Sequence, residues 1–223
     1  MKVRMVSKTV FDEDFKKDNG IIGDNAWSVL AYICRVSNPQ NQSNPNYEKL
    51  LKYCWDNGHV SVFEHAYITI EIECSLYVAM QILRHRSFVF QQFSGRYQNV
   101  SDLWYDTPQL RRQDTVNRQN SIDDISDDII NKYQDRIDDL FRNMSSLYSD
   151  MLDDDIAKEC ARVIMPLGWN TRMYMTGNIR SWLHYIQLRT KNGTQKEHAD
   201  VANAIYDLIL LKEPSIISFM NVH

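Results

Sequence analysis

The sequence has little of what builds phosphate-binding loops, disulfide frameworks or membrane spans. Its seven glycines are scattered, with no G-x-G-x-x-G and no G-x-x-x-x-G-K-[ST] arrangement, so a Rossmann dinucleotide site and a P-loop are both excluded by pattern. Any phosphate must then be held by side chains. The four cysteines, Cys34, Cys54, Cys74 and Cys160, lie far apart with no C-x-x-C pair; reduced core thiols are expected. No run approaches the roughly 18 uncharged residues of a membrane span, and MKVRMVSKTVFDED at the N-terminus has no apolar signal core. The expectation is a soluble cytoplasmic protein with no membrane partner. A large excess of one charge is also missing. The net charge of −4 disfavours tracking of a long nucleic-acid backbone, so no nucleic-acid polymer is expected as a partner, and a small anionic ligand in a local basic pocket fits better.

Apolar material is ample. With 223 residues, 43% of them hydrophobic, the chain suits one α+β domain over residues 1–223. Asp24 is placed to cap a helix through AWSVLAYICRVS, and Asn44-Pro45 to open a second, NYEKLLKYCWDN, which Gly58 closes. HAYITIEIE, from His65 to Glu73, alternates with Ile68, Ile70 and Ile72 on one face and predicts a half-buried strand. SLYVAMQILRH predicts a helix. FVFQQFSG has neither period and predicts an irregular loop. Residues 99–124 predict a long polar surface connection able to serve as a lid. Ile129, Tyr133, Ile137, Leu140, Met144 and Leu147 recur at steps of three and four, as in an amphipathic helix from Ser126 to Asp150. DDDIAKECARVIM is expected to continue helical until Pro166 and Gly168. TRMYMTGN predicts a short strand and NIRSWLHYIQLRT a helix ended near Gly193, with Thr194 and Glu197 forming a capping box for the last helix.

The polar residues raise sharper questions. Arg84, Arg86 and Arg96 fall within RHRSFVFQQFSGR, and arginine's planar fork suits phosphate or carboxylate. Arg84 and Arg86 share a side only on extended backbone, with His85 opposite; a basic helix end is the competing reading. Ser94-Gly95-Arg96 lets backbone amides approach an anion, or is an ordinary turn. GHVSVFEH matches neither H-E-x-x-H nor H-x-x-E-H, so no metal site is expected. On a helix Asn178 and Arg189 stand about 16 Å apart, suited to an extended dinucleotide beside a second ligand, or to a solvated face. Carboxylates such as Asp123, Asp124, Asp127 and Asp128 would serve a Mg²⁺-dependent nucleotide pyrophosphatase, but read more simply as solvated faces. A non-catalytic nucleotide- or RNA-binding module is the alternative to an enzyme.

Arg84-His85-Arg86, seven residues and then Ser94, followed by Gly95-Arg96-Tyr97, resembles the signature of the flavin-dependent thymidylate synthase (ThyX) family. HVSVFEH, Gln81 and ARVIMPLGWNTRMYMTGNIRSWLHYIQLR extend the resemblance over roughly residues 58–98 and 160–200. It implies an antiparallel sheet surrounded by helices, in a homotetramer with flavin sites shared between subunits. The implied reaction converts dUMP to dTMP with 5,10-methylenetetrahydrofolate as carbon donor, FAD as cofactor and NADPH as reductant. Carried over by position, Ser61, Arg84, His85, Arg86, Asn178 and Arg180 would contact FAD. Gln81, Arg84, Ser94, Gly95, Arg96, Arg162 and Arg189 would hold dUMP, with Arg96 and Arg162 at its phosphate and Arg189 catalytic at the uracil edge. Gln91 and Gln92 stand where Asn and Glu are commoner, and His184 where Asn is. Gln92, at both FAD and dUMP, would keep length but lose charge, and His184 at FAD would make affinity pH-dependent.

Overall fold

Ile68, Ile70 and Ile72 are fully shielded from solvent, on one face of the strand their alternation predicts. Around that strand the computed structural model describes residues 1–212. In chain order the elements are β1 (Lys2–Lys8), α1 (Glu13–Asp18), α2 (Ala26–Cys34), α3 (Glu48–Asp56), β2 (Tyr67–Ser75), α4 (Leu76–Ile82) and β3 (Val89–Gln92). Two-residue strands β4 (Arg112–Gln113) and β5 (Ser121–Ile122) follow, then α5 (Asp127–Asp153), α6 (Lys158–Ala161), β6 (Asn170–Asn178), α7 (Ile179–Arg189) and α8 (Lys196–Lys212). The sheet runs β1-β2-β6-β3 with every neighbour antiparallel, and β4 with β5 forms a separate hairpin. The α+β class is as expected.

The two faces of the sheet differ in chemistry. Ile68, Ile70, Ile72, Met173 and Met175 pack with residues of α2, α4, α7 and α8 in one continuous core. On the other face Glu71 receives Arg4 and the Tyr174 hydroxyl, and Glu73 receives Arg172 and Lys2. The guanidinium of Arg4 holds the Glu71 carboxyl below its usual range. Among the described residues no helix is long and apolar enough to cross a membrane.

Several boundaries differ from the sequence reading. FVFQQFSG is not irregular: Val89–Gln92 form an edge strand paired to β6 from Val89↔Thr176 to Gln92↔Met173. Two adjacent glutamines hide the period there. TRMYMTGN is part of a nine-residue strand at the centre of the sheet. Asn25, not Asp24, caps α2, its side chain accepting from Ser28 N–H while Ser28 Oγ answers the Asn25 N–H. α3 starts only at Glu48, after a Tyr47 N-cap that makes no side-chain cap, and Gly58 ends it in the left-handed region at φ 74°. Asp155, also left-handed at φ 60°, stops α5 at Asp153, since Asp tolerates that conformation. Glu197 does not box with Thr194; its carboxylate takes Arg111 and Gln195 instead. Cys34, Cys54 and Cys74 are at least partly buried and reduced, but Cys160 is exposed.

The long helix α5 shows a larger difference. Its apolar arc is real, yet Ile129, Tyr133, Leu140 and Leu147 on one flank are 44–50% exposed. The opposite flank carries the packing: Phe141 stacks on Trp169 at 5.8 Å and meets Tyr105 at 3.9 Å. Residues 99–106 are therefore pinned, with Leu103 and Tyr105 buried and Trp169 Nε1 donating to the Val100 carbonyl at 2.7 Å.

Gly177 tests this packing. A Cβ there would lie 2.4 Å from Phe88 Cδ1, and Phe88 is itself wedged against Trp182 at 4.7 Å. Gly177→Ala is expected to lower stability by about 1–3 kcal/mol, read as a reduced urea midpoint at constant slope. An unchanged midpoint would contradict that packing.

Candidate active site

The β2–β6 ladder decides where the polar side chains meet. Its end pairs are Tyr67↔Asn178 and Ser75↔Asn170, so α4 leaves one end and α7 the other, both over the apolar face. α7 is pinned to β2 by Trp182 Nε1, which donates to the Ile68 carbonyl at 3.1 Å. Its eleven residues, at ~1.5 Å each, carry Arg189 back to the end of α4. There Arg189 Nε donates to His85 Nε2 at 3.0 Å. Residues 83–87 turn rather than extend, yet Arg84 and Arg86 are exposed and His85 points inward, edge-on to Tyr185 at 4.9 Å. To accept from Arg189, His85 must be neutral with its proton on Nδ1. Burial first, then Arg189, His184 and Arg84, push it down to about 4.

Six of the eight expected nucleotide residues fall into two cavities that share no lining residue. Gln81, Arg84 and Arg189 line one of about 660 Å³ with Asn117 and Gln119 of the β4–β5 turn. Gln92, Gly95 and Arg162 line another of about 270 Å³ with Trp169, Asn170 and Thr171. In the second, a Cβ on Gly95 would approach Val100 Cγ1 to 2.8 Å and Arg162 Cδ to 3.4 Å, so glycine keeps the floor open. Gln92 Nε2 donates to Thr171 Oγ1 at 3.2 Å. Asn170 Oδ1 is buried without a hydrogen-bond partner among the described residues. Ser94 closes a turn, its carbonyl accepting from Tyr97 and Gln98 N–H at 3.0 Å each, and its side chain is exposed. Arg96 lies on Glu159 at 3.0 Å.

A third group surrounds the start of α7. Asn178 caps it by accepting from Ser181 N–H at 2.8 Å, and Ser181 Oγ donates to the Ser87 carbonyl at 3.3 Å, next to Arg86. Arg180 pairs with Glu64, at the end of the 3-10 turn that holds Ser61. Ser61, Arg86, Arg180 and His184 are all exposed.

Among the arginines expected at the site, Arg96 and Arg180 meet Glu159 and Glu64, while four others are without a carboxylate. Arg4, Arg111, Arg112 and Arg172 are each paired with carboxylates. Arg84, Arg86, Arg162 and Arg189 have no carboxylate partner among the described residues. Sequence reading gave no role to Glu64, Tyr185, Gln195, His198, Asn117 or Gln119. Glu64 was visible in HVSVFEH; the others owe their place to helix docking and to a connection with no period. Among the described residues no group of three or more His, Cys, Asp or Glu is placed to hold a metal ion.

His85 and His198 give a pH signature. Burial, with Arg189 and His85, pushes His198 down to about 3. An unfolded histidine titrates near ~6.5, so below that the unfolded chain binds protons the native one refuses. Their contribution to stability is full above pH ~6.5 and falls as pH drops toward about 4. In ¹H NMR the C2–H signals of both rings are expected to stay fixed between pH 7 and 5; titration there would contradict this burial.

Comparison with known proteins supplies the remaining finding. A family described as thymidylate synthase complementing protein matches residues 23–215. The chain is 47% identical over 197 residues to a probable flavin-dependent thymidylate synthase of Paramecium bursaria Chlorella virus 1, covering 86% of this chain and 89% of that one. It is 43% identical over 188 residues to a flavin-dependent thymidylate synthase of Synechocystis sp., covering 84% and 86%. In fold it resembles the crystal structure of the UMP/dUMP methylase PolB from Streptomyces cacaoi, with a TM-score of 0.77 at 22% identity, covering 98% of this chain and 93% of that one. With its sheet, its arginine-bearing segments and these relatives in agreement, the chain belongs to the thymidylate synthase complementing protein family, that of the flavin-dependent thymidylate synthases.

Proposed function

We propose that the protein methylates dUMP to dTMP, taking its carbon from 5,10-methylenetetrahydrofolate and using FAD reduced by NADPH. One observation carries this reading. Arg84, Arg86, Arg162 and Arg189 come from separate segments of a chain with net charge −4, and the described residues give none of them a carboxylate. Such guanidiniums match the two phosphorylated ligands the reaction needs.

The donor set at the start of α7 suits a flavin dinucleotide. Arg86 and Arg180 supply cations for its pyrophosphate, while Ser61, Asn178 and His184 offer hydrogen bonds along its length. The bound flavin would supply the hydride. The chain's own residues bind and polarise the pyrimidine. His85 takes the Nε–H of Arg189, which leaves the four terminal N–H groups for the cavity that Arg189 lines. Set against the uracil edge, they stabilise negative charge developing at N3 and O4. Gln81 and Arg84 share that cavity. Gln92, Gly95 and Arg162, with Ser94 and Arg96 beside them, would hold the ribose and phosphate, the phosphate displacing Glu159 from Arg96.

The separation of base-side and phosphate-side cavities supports a site completed by another copy of the chain. The half-exposed flank of α5 offers apolar surface for such an assembly, and the family resemblance supports a homotetramer. Ser94 serves as a binding group; an unassisted alcohol is a slow nucleophile.

The test is tritium release from [5-³H]dUMP with FAD, NADPH and folate, omitting each in turn. Release that needs all of them supports the reading; release without flavin, or none at all from a protein that takes up FAD and dUMP, contradicts it. In that assay Arg189→Ala should abolish dTMP formation while FAD stays bound, and Ser94→Ala should keep part of it. Arg96→Ala should weaken dUMP binding by about 1.5–3 kcal/mol; unchanged binding would remove Arg96 from the phosphate.

A further inference from the structure

Behind Gln81 runs a line of side-chain hydrogen bonds that the reaction as described does not use. The Tyr185 hydroxyl on α7 lies 3.1 Å from His198 Nε2, and His198 on α8 brings Nδ1 to 3.1 Å from Gln81 Oε1. Tyr185 and His198 are both fully buried. Gln81 Nε2 donates to Gln195 Oε1, Gln195 Nε2 donates to Glu197 Oε2 at 3.0 Å, and Glu197 Oε1 receives Arg111. Arg111 also donates through Nε to Ser121 Oγ at 2.8 Å. That contact roots the hairpin whose Asn117 and Gln119 line the cavity with Gln81.

One end fixes the sense of every bond. An ionised carboxylate only accepts, and Arg111 with Gln195 helps hold Glu197 below its usual range despite burial. Gln195 must therefore give its nitrogen to Glu197 and keep its oxygen for Gln81. Gln81 then gives nitrogen and turns its own oxygen to His198. His198 must donate from Nδ1, which leaves Nε2 to accept from Tyr185. A neutral imidazole, with one donor and one acceptor nitrogen, is the state that fits both neighbours.

We propose that Gln195, oriented by Glu197, and His198, backed by Tyr185, are positioning residues that hold the Gln81 amide from its two sides in one of its two flip states, so that the base side of the site accepts uracil and refuses cytosine. The proposal rests on Gln81 facing the pyrimidine, as in the function above. After its two internal bonds Gln81 has one N–H and one oxygen lone pair left, a donor beside an acceptor. Uracil presents O4 beside N3–H, which such a pair complements. Cytosine presents an amino group beside a bare N3, the reverse order. A freely turning amide serves either base by rotating half a turn; a locked one leaves buried polar groups unpaired against cytosine. Arg189, which offers donors only, favours the O4 oxygen but cannot accept from N3–H, so the acceptor half of the recognition falls to Gln81.

Calorimetric titration of the flavin-loaded oligomer with dUMP and with dCMP tests it. The native protein should prefer dUMP, and Gln195→Leu and His198→Phe should each cut that preference about tenfold, the effect of freeing one oriented hydrogen-bonded group. Gln81→Ala should lower it at least as far, to what the Arg189 donors alone provide, and also weaken dUMP. If both folded variants keep the native preference while Gln81→Ala lowers it, the lock is overturned and the reaction stands. If Gln81→Ala keeps it, the placement of Gln81 at the base fails, and the lock with it. A native protein that binds both nucleotides alike also overturns the lock, and one that binds no dUMP overturns the function as well. Should the variants not fold, ¹⁵N spectra of native histidine decide: His198 protonated on Nδ1 supports the lock, and on Nε2 overturns it.

Discussion

The nine-residue pairing of β2 with β6 is the constraint from which the rest follows. Both strands run directly into helices, β2 into α4 and β6 into α7, with no loop to absorb a slip. Moving the register by one residue would turn Ile68, Ile70 and Ile72 to the polar face and shift Arg189 away from His85. Burial of those isoleucines therefore fixes the Arg189–His85 contact as well as a core. Thr69 and Thr176, bonded at 2.9 Å on the opposite face, and the carboxylate–arginine ladder around Glu71 and Glu73 hold the same alignment from the other side.

Upon this frame the protein divides its arginines. Arg4 and Arg172 of the polar sheet face and Arg112 of the β4–β5 hairpin meet carboxylates within the chain and serve architecture. Arg84, Arg86, Arg162 and Arg189 are left without such partners among the described residues, a repulsive arrangement that the proposed phosphorylated ligands would offset. The two buried imidazoles stay neutral beside these charges because burial disfavours their charged forms. Neutrality lets His85 accept from Arg189 and lets His198 both give and take. Histidine here works as a fixed hydrogen-bond connector rather than as an acid or base.

Much of this was legible in the sequence where period and cap chemistry agreed. The Ile68-Ile70-Ile72 strand, the helix after it and the Gly58 stop all follow from local rules, whereas His85 turns inward between two outward arginines on a turn, not on the extended backbone that spacing would need. The edge strand Val89–Gln92 did not, because Gln91 and Gln92 break the apolar alternation and its pairing partner lies some eighty residues away. The α5 stripe gave the right helix but the wrong buried flank: Phe141 wins because Trp169 and Tyr105 come to meet it from other segments, and the Tyr148 hydroxyl takes the Val100 N–H at 3.4 Å. Tyr185, Gln195 and His198 look ordinary in line, and only the docking of α8 beside α4 and α7 joins them. Site residues were named through family resemblance, and no local pattern announces that they divide between two cavities.

That division makes the central claim testable by mixing. Arg189→Ala damages the base side and Arg162→Ala the phosphate side, so each oligomer alone should form no dTMP. Co-expressed and purified together, the two variants should assemble some sites with both sides intact and recover a measurable fraction of native dTMP formation. If the mixed oligomer, shown to contain both chains, remains as inactive as its parents, the site lies within one chain and the account of a shared arginine site is wrong.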